Sequence, residues 1–579
     1  MPEDDNDIDW TELKDFDSSK HYTSSSLQSD VVATQPPPWL DNIQEFASRS
    51  ADKHLSSGDH LDCFVQYLNQ PYDPRFQDSQ SASTEQRAFG VLYDFRSASI
   101  QQVLQNAGDL DDLKAQREQD VPESRLLILR GHPSPEWLNA ISDAFEVDIE
   151  FFHHHLELFS RSRADPAWTW PPLSSTLARE PRLRITTHGT VNKPEHHARE
   201  EKHVNGLRSH VREIFKAYLE DTQREVKVHV GTSLLRDIHV HGAETFSFEQ
   251  DVSIWTKQLG NGWRGVAWID VGIDDLFQGP KGASLRTPLG GKPENTIFGS
   301  TVLCRASETD FLSHDAPAAV HKGVLETPDG ITQNARHLSH QYCQDLDLAL
   351  ARADSFYAVR NLFRFSAASE NQFLNMMQSV IRDDIHHATV LAKEKRADAS
   401  LSNLLSNQLV LSDHVKRLED NLLAIQRRDE WPKWRGSSSD ILLRADKAGS
   451  ELLDNYQGLL RKATALAEEC DRGIRRIEHL ESYAESKRAI AQAQGVEKLT
   501  RLAFVFVPMS FSCAFFGMNF KEIGQGTLSL WVWFAVTVPI FVLSLVLMVS
   551  NLRRRVSWYL GLRGRQTHVG DPDLEQGHV

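Results

Sequence analysis

The chain has 579 residues, and its 63 basic and 80 acidic side chains give a formal charge of −17. This length exceeds what one compact core normally accommodates, so we expect two or more structural units. The acidic excess excludes the basic footprint of a general nucleic-acid-binding protein, and no nucleic-acid partner is expected.

The cysteines and the first residues of the chain narrow the class of protein further. Five cysteines lie far apart, without the close spacing of a zinc or redox motif: Cys63, Cys304, Cys343, Cys470 and Cys513. We therefore expect reduced thiols and neither a disulfide framework nor a zinc site. The first residues are acidic and lack an apolar run, so neither a signal peptide nor a mitochondrial presequence is expected.

Residues 1–85 have little apolar periodicity. They combine an acidic start, the prolines at 36–38 and a polar tract at 77–84. This composition predicts a largely disordered acidic and polar N-terminal region, with one short ordered piece near Leu61–Leu68.

Residues 86–337 alternate strand-like and helix-like patterns. Ser134 before Pro135 is typical of a helix start, and Asp148 is expected to cap a second helix that runs to Leu156. Residues 278–295 are rich in glycine and proline and are predicted to form a loop. The segment is predicted to be a cytoplasmic α+β domain, with strands at Arg125–Arg130, Arg182–Thr187, Glu225–Val230 and Gly265–Val271.

Residues 338–497 are predicted to form long helices. Pro432 interrupts them within residues 430–436, and Ser439 or Asp440 is expected to cap a new helix. Nine residues of that helix recur at spacings of three and four and predict one buried face: Leu452, Tyr456, Leu459, Ala463, Leu466, Cys470, Ile474, Ile477 and Leu480. A helix from 440 to 519 would be about 120 Å long, so it needs partner helices from its own chain or from other subunits.

Residues 498–550 contain two apolar stretches, at about 499–518 and 528–550. Each is long enough to span the roughly 30 Å core of a bilayer, and the second carries no charge. Together they predict a two-helix C-terminal transmembrane hairpin with a short turn.

Basic residues flank both outer ends of the predicted hairpin. The tail at 551–579 contains five arginines before Asp571, whereas the turn contains one lysine. The positive-inside rule then places both termini in the cytoplasm and the turn outside.

A stripe of smaller residues runs along one face of the first span. It comprises Val496, Leu499, Ala503, Val507, Ser510 and Ala514, and it continues to Gly517. Such a stripe either allows close helix packing or lines a pore. The carboxamide of Asn519 at the outer end favours a pore, because neutral carbonyl oxygens hold a hydrated divalent cation through its water shell.

The sequence around this end resembles the signature of the CorA-like magnesium transporters, in which Gly-Met-Asn closes the first of two C-terminal transmembrane helices. Gly517, Met518 and Asn519 stand at that position, followed by Phe520. The Lys498-Leu499-Thr500 start, Pro508 and the order of elements match as well. The divergent N-terminal domain looks like the fungal branch of the family.

The resemblance implies a homopentamer with a central pore and no enzymatic activity. Gly517, Met518 and Asn519 would form the outer selectivity filter and Ser510 a polar ring, while Val507, Leu499 and Val496 would occupy the hydrophobic gate. Magnesium would be the transported ion and also a regulatory ligand between cytoplasmic domains, with no other cofactor.

Two features depart from the family pattern. Many relatives have an acidic outer loop, whereas here Lys521 offsets Glu522, which weakens attraction of cations. The gate also has valine where methionine is common. Both features affect the expected conduction rate and ion choice, not the fold.

Other metal-binding candidates are weaker. Adjacent histidines on a helix point about 100° apart, so the histidines at 153–155, 196–197, 239/241 and 386–387 are interpreted as surface residues. Three acidic pairs are weak candidates for regulatory magnesium, and helix caps or solvated faces are the favoured interpretation: Asp111 and Asp112, Asp274 and Asp275, Asp383 and Asp384. No catalytic motif is recognised.

Two hypotheses follow. The first is a divalent-cation channel, with magnesium favoured over zinc and other divalents, in the plasma membrane or vacuole rather than in mitochondria. The second is a membrane-anchored scaffold or Mg²⁺ sensor with the same fold that does not conduct. The neutralised loop and the acidic N-terminal region motivate the second.

Overall fold

The computed structural model describes residues 38–50, 52–69, 89–96, 101–104, 106–110, 124–160, 173–191, 201–223, 230–272, 289, 296–303, 334–390, 394–516 and 529–565. Within these residues the fold is mixed α/β, with a sheet in the N-terminal half and long helices after it. The strands are β1 Gly90–Asp94, β2 Gln101–Leu104, β3 Ser124–Arg130, β4 Arg182–Val191, β5 Asp237–Val240, β6 Thr245–Leu259, β7 Gly262–Ile269 and β8 Thr296–Gly299. The helices are α1 Pro38–Ala47, α2 Asp62–Asn69, α3 Pro135–Phe145, α4 Ile149–Ser160, α5 Ser174–Arg179, α6 Glu201–Gln223, α7 Leu338–Gln341, α8 Leu348–Ala353, α9 Ser355–Val390, α10 Glu394–Gln426, α11 Ser439–Phe516 and α12 Leu530–Arg565.

Backbone contacts divide the chain into two units. The first lies within residues 1–382 and 406–468 and contains the sheet. The second lies within residues 383–405 and 469–579 and contains the later part of α11 together with α12.

The sheet has the strand order β2-β1-β3-β7-β6-β4-β8, with β5 paired to β6. Only the β3–β7 pair is parallel among these described strands; the others are antiparallel. β6 and β7 form a hairpin that turns at Gly260, which has φ of 52°. The strand predictions at 125–130 and 182–187 are confirmed within β3 and β4. The prediction at 265–271 is confirmed up to Ile269, where β7 ends. Residues 225–229 of the remaining predicted strand lie outside the described residues.

Both faces of the sheet are covered. Alternate residues of β3 and β7 point to one face, where Leu127, Leu129, Val266 and Trp268 join a core cluster. Aromatic contacts hold the helices there, since Phe152 of α4 lies 5.8 Å from Trp268 between ring centroids. α1 and α2 belong to the same core through Leu40, Phe64 and Leu68, among others, so order within residues 1–85 extends beyond the piece predicted near Leu61–Leu68.

The opposite face packs on residues 334–369. The Tyr93 hydroxyl donates to the Ser339 carbonyl at 2.6 Å, and the Trp263 indole donates to the Arg352 carbonyl at 3.0 Å. Ser369 of α9 bonds both backbone groups of Thr186 in β4. The helical segment therefore completes the sheet domain.

Local sequence rules explain where helices start. Ser134 caps α3, because its hydroxyl accepts from the Trp137 amide at 3.3 Å, and Asp148 accepts from the Glu150 amide at the start of α4. The cap of α11 is Ser438 and not the predicted Ser439 or Asp440: the helix begins at Ser439, and the hydroxyl of Ser438 accepts from the Ile441 amide.

The long helix α11 is unbroken over 78 residues, a length of about 117 Å. Eight of the nine residues of its predicted apolar face are buried; Leu480 is 44% exposed. In the sheet domain, α9 supplies a partner from the same chain, because the Tyr456 hydroxyl donates to the Phe363 carbonyl at 3.1 Å.

Candidate ion pathway and buried charged groups

The end of α11 is apolar and exposed. Among the described residues, α11 is the one helix long and apolar enough to cross a membrane by length and composition, and 6% of its apolar window is buried. A core helix of a soluble protein would be mostly buried there. α12 contains a shorter apolar stretch, Trp531–Val546.

The six residues predicted to line a pore lie on one face of α11. Val496, Leu499 and Val507 are 62%, 67% and 63% exposed, and Ala503, Ser510 and Ala514 are exposed as well. At about 100° per residue, their positions fall within an arc of roughly 80°. This exposed face, from Val496 to Ala514, is called the stripe below.

Hydroxyl groups on this part of α11 are bonded to their own helix. Ser510 donates to the Phe506 carbonyl at 2.8 Å and Thr500 donates to the Val496 carbonyl at 2.8 Å. Their hydrogens are therefore satisfied without a partner from outside the helix, while the Ser510 oxygen keeps acceptor capacity on the stripe. Pro508 has no N–H to donate and marks a point where the helix can bend.

Several predicted site residues lie outside the described residues. These are the filter residues Gly517, Met518 and Asn519, the outer-loop residues Lys521 and Glu522, and the acidic pairs Asp111, Asp112, Asp274 and Asp275. Their roles stay predictions.

The remaining acidic pair lies on α9. Asp383 is exposed, and its carbonyl faces the His387 ring nitrogen at 2.6 Å; Asp384 is half-buried and accepts from the Asn403 amide at 3.4 Å. The two carboxylates therefore occupy different surroundings on one helix, and regulatory magnesium at this pair stays a prediction.

The prediction of surface histidines is wrong for three residues. His153 and His155 on α4 and His241 before β6 are buried, because these elements pack against the sheet or the helices that cover it. His386 is exposed as predicted. His154, His239 and His387 are half-buried, and His196 and His197 lie outside the described residues.

A buried ion pair lies beneath α4. Arg236 donates to both carboxylate oxygens of Asp270, at 2.6 and 2.8 Å, and to the carbonyl of His155 at 2.8 Å. The His155 ring stacks on Trp268 and faces Asp270 at 3.1 Å. Burial lowers the pKa of His155 to about 4, although the charge of Asp270 acts in the opposite direction. This arrangement ties α4 to the end of β7 and to the residue that precedes β5.

A second buried group joins the sheet to the long helices. His414 of α10 has Nδ1 2.8 Å from Glu370 of α9 and Nε2 3.1 Å from Glu249 of β6. Arg184 of β4 pairs with Glu249 and, at 2.9 Å, with Asp251. Because these charges are buried and mutually paired, removing one partner would leave another charge uncompensated between the layers. The sequence did not reveal them, since pairing across four elements leaves no local pattern.

The comparison with protein families decides the assignment. Residues 394–554 match the family described as CorA-like Mg²⁺ transporter protein. This part of the chain belongs to the CorA-like Mg²⁺ transporter family. The CorA-like region includes α10, α11 and the first part of α12, and so contains the stripe and residues 517–519. A search of curated proteins finds no match to the chain.

Family membership supports a coarse function. CorA-like proteins are membrane-embedded transporters and channels for divalent cations, they associate with copies of themselves, and they are not enzymes. The residues before 394, including the sheet, lie outside the matched region.

Proposed function

We propose that the chain is a divalent-cation channel whose pore is lined by the stripe of α11 and whose ion of choice is magnesium. The observation that carries this proposal is the exposed apolar end of α11 within the CorA-like region, with the stripe of smaller residues directly before Gly517, Met518 and Asn519. α11 and α12 form the transmembrane hairpin of this proposal, with lipid around them.

The pore requires several copies of the chain. One helix presents one stripe and cannot enclose a channel, so the partner is a second copy of this chain, and the resemblance favours five. The small side chains of Ala503, Ser510 and Ala514 allow close approach of identical helices. Assembly of several copies would then bury Val496, Leu499 and Val507, which are exposed in the single chain.

Asn519 is proposed as the outer selectivity ring, with the Gly517 carbonyl beside it. Magnesium releases water slowly, so a ring of neutral oxygens can hold the ion through its hydration shell. Ser510 offers a second ring of oxygens on the stripe. Val507, Leu499 and Val496 form an apolar constriction that gates by excluding water.

Regulation of the proposed channel would use the same ion. Magnesium bound by carboxylates between cytoplasmic domains would favour a closed assembly; Asp383 and Asp384 are the described candidates.

We place both termini in the cytoplasm because of the basic flanks, and the protein in the plasma membrane or vacuole rather than in mitochondria.

The test is an ion series with purified protein in liposomes. Entry of Mg²⁺, Zn²⁺, Co²⁺ and Ni²⁺ is measured with ion-sensitive dyes, and protein-free vesicles provide the baseline. We expect flux above the baseline, with Mg²⁺ favoured. Absence of flux for all four ions from a correctly assembled oligomer would instead support the non-conducting scaffold or sensor.

A further inference from the structure

Three metal-ligating side chains meet on α4, away from the CorA-like region. Glu150, His153 and His154 occupy positions i, i+3 and i+4, which share one helix face. One carboxylate oxygen and one ring nitrogen from each histidine all lie within 4.8 Å of one another. Adjacent histidines alone make a poor pair, but a carboxylate one turn earlier lies between them.

Two other segments bring further ligands to the same place. His60 lies on the turn before α2, and its Nε2 is 2.8 Å from Glu150 Oε1. Glu180 follows α5, and its Oε2 lies 3.6 Å from His154 Nδ1. That Glu180 oxygen is buried and makes no hydrogen bond within the described residues. A buried carboxylate oxygen aimed at a cluster of imidazoles is a feature that a bound cation would explain.

The cluster borders a cavity of about 540 Å³ with a net negative lining. Asp148, Glu150 and Glu180 contribute three negative charges, and Arg179 contributes one positive charge. With neutral histidines the lining therefore has a formal charge of −2, which suits one divalent cation.

The donor set selects the class of metal. Imidazole nitrogen with carboxylate oxygen suits zinc and other first-row divalent metals, whereas magnesium prefers oxygen alone in octahedral geometry. Zinc sits about 2.0–2.1 Å from such ligands, which places tetrahedral neighbours about 3.4 Å apart. Ligand atoms within 4.8 Å thus need small side-chain movements to close around the ion.

We propose that Glu150, His153 and His154, together with His60 and Glu180, bind a zinc-class divalent cation. The ion would connect α4 to the segment before α2 and to the segment after α5. This site is separate from the proposed pore and differs from it in ion chemistry.

The test uses the full-length protein in detergent, titrated with Co²⁺, which absorbs visible light when bound with tetrahedral nitrogen and oxygen ligands. Wild type is compared with Glu150→Gln/His154→Gln and with the control His386→Gln/His387→Gln, which removes an adjacent pair elsewhere. We expect one tetrahedral Co²⁺ per chain, seen as a visible band, a loss of affinity for this ion of at least about tenfold in the first variant, and no change in the control.

A milder variant guards against misfolding. His60→Gln leaves α4 intact, and its thermal unfolding without metal should match wild type, while the upward shift of the unfolding temperature with Zn²⁺ should shrink. Equal Co²⁺ affinity in wild type and Glu150→Gln/His154→Gln, or displacement of Co²⁺ by equimolar Mg²⁺, would overturn the proposal. Because the readout is binding and not flux, either result leaves the channel proposal to its own test.

Discussion

At the scale of single residues, the sheet domain depends on charges that are buried and paired. Asp270 has no exposed side-chain surface, and both of its carboxylate oxygens accept from Arg236. Truncating one partner of such a pair leaves the other charge without compensation in a poorly solvated place.

Arg236→Met is therefore expected to lower the free energy of unfolding by about 3–5 kcal/mol. Thermal or denaturant unfolding of the purified protein, followed by tryptophan fluorescence, measures the change. Arg444→Met is the matched control, because Arg444 pairs with Asp347 at an exposed position and its loss should cost at most about 1 kcal/mol. Equal effects of the two substitutions would contradict the assigned role of the buried pair.

The buried histidines predict a dependence of stability on pH. Burial lowers the pKa of His155 to about 4 and of His241 to about 3, and His239 lowers that of His241 further. In the unfolded chain both rings titrate near 6.5. Because the unfolded state takes up protons first, the stability present above about pH 6.5 is lost as pH falls toward the folded pKa values.

Unfolding temperatures measured between about pH 7.5 and pH 5 check this prediction. The unfolding temperature of wild type should fall steadily as pH is lowered over that interval, and that of His241→Gln should fall less steeply. His386→Gln, which changes an exposed ring, should keep the slope of wild type. A flat wild-type profile would contradict the assignment of neutral buried rings.

At the level of secondary structure, α11 is the helix on which the proposed channel depends. Two of its glycines have different surroundings: a Cβ added at Gly458 meets nothing within 4 Å, whereas one added at Gly473 lies 2.8 Å from Ile385 side-chain atoms. α11 therefore tolerates added volume at one position and resists it at the other.

Gly458→Ala should raise the free energy of unfolding by about 0.5–1 kcal/mol, because alanine favours the helix. Gly473→Ala gains the same propensity but forces Ile385 to move, so its benefit should be smaller or reversed. Unfolding curves of the two variants measure the difference. Equal stabilisation would show that α11 is not packed closely against α9 at Gly473.

The stripe can be tested by adding bulk to neighbouring residues. Ala503→Phe places a ring on the stripe and should abolish ion flux, whereas Leu502→Phe, about 100° around the helix, should leave flux near wild type. Flux into liposomes and the oligomeric state in detergent are measured for both variants. Block by Leu502→Phe alone would place the pore on another face.

The sequence predicted elements with strong periodicity and missed contacts between distant segments. The buried face of α11 was predictable down to Ile477 because its spacing of three and four is sustained, and the caps at Ser134 and Asp148 follow from local chemistry. α1 was missed because a short amphipathic helix gives little signal in polar surroundings. The cluster around Glu150 was missed although the spacing Glu-x-x-His-His was visible, since its other ligands come from residues 60 and 180.

At the scale of the whole molecule, the charge of −17 is unevenly distributed. Acidic residues are spread along the N-terminal and helical regions, whereas arginines concentrate directly after the last apolar stretch. In the proposed orientation, this excess of negative charge lies on the cytoplasmic side. It would concentrate divalent cations below the pore and supply carboxylates that sense them.

In the proposed channel, Asn519 closes an ion-selective pore built from α11. The most direct measurement is uptake of Mg²⁺ into dye-loaded liposomes by wild type, Asn519→Ala and Gln525→Ala, the last removing another carboxamide after α11. Wild type and Gln525→Ala should both take up Mg²⁺, and Asn519→Ala should lose uptake or its preference for Mg²⁺ over Ni²⁺ and Co²⁺. Equal and equally selective uptake by wild type and Asn519→Ala would contradict the account.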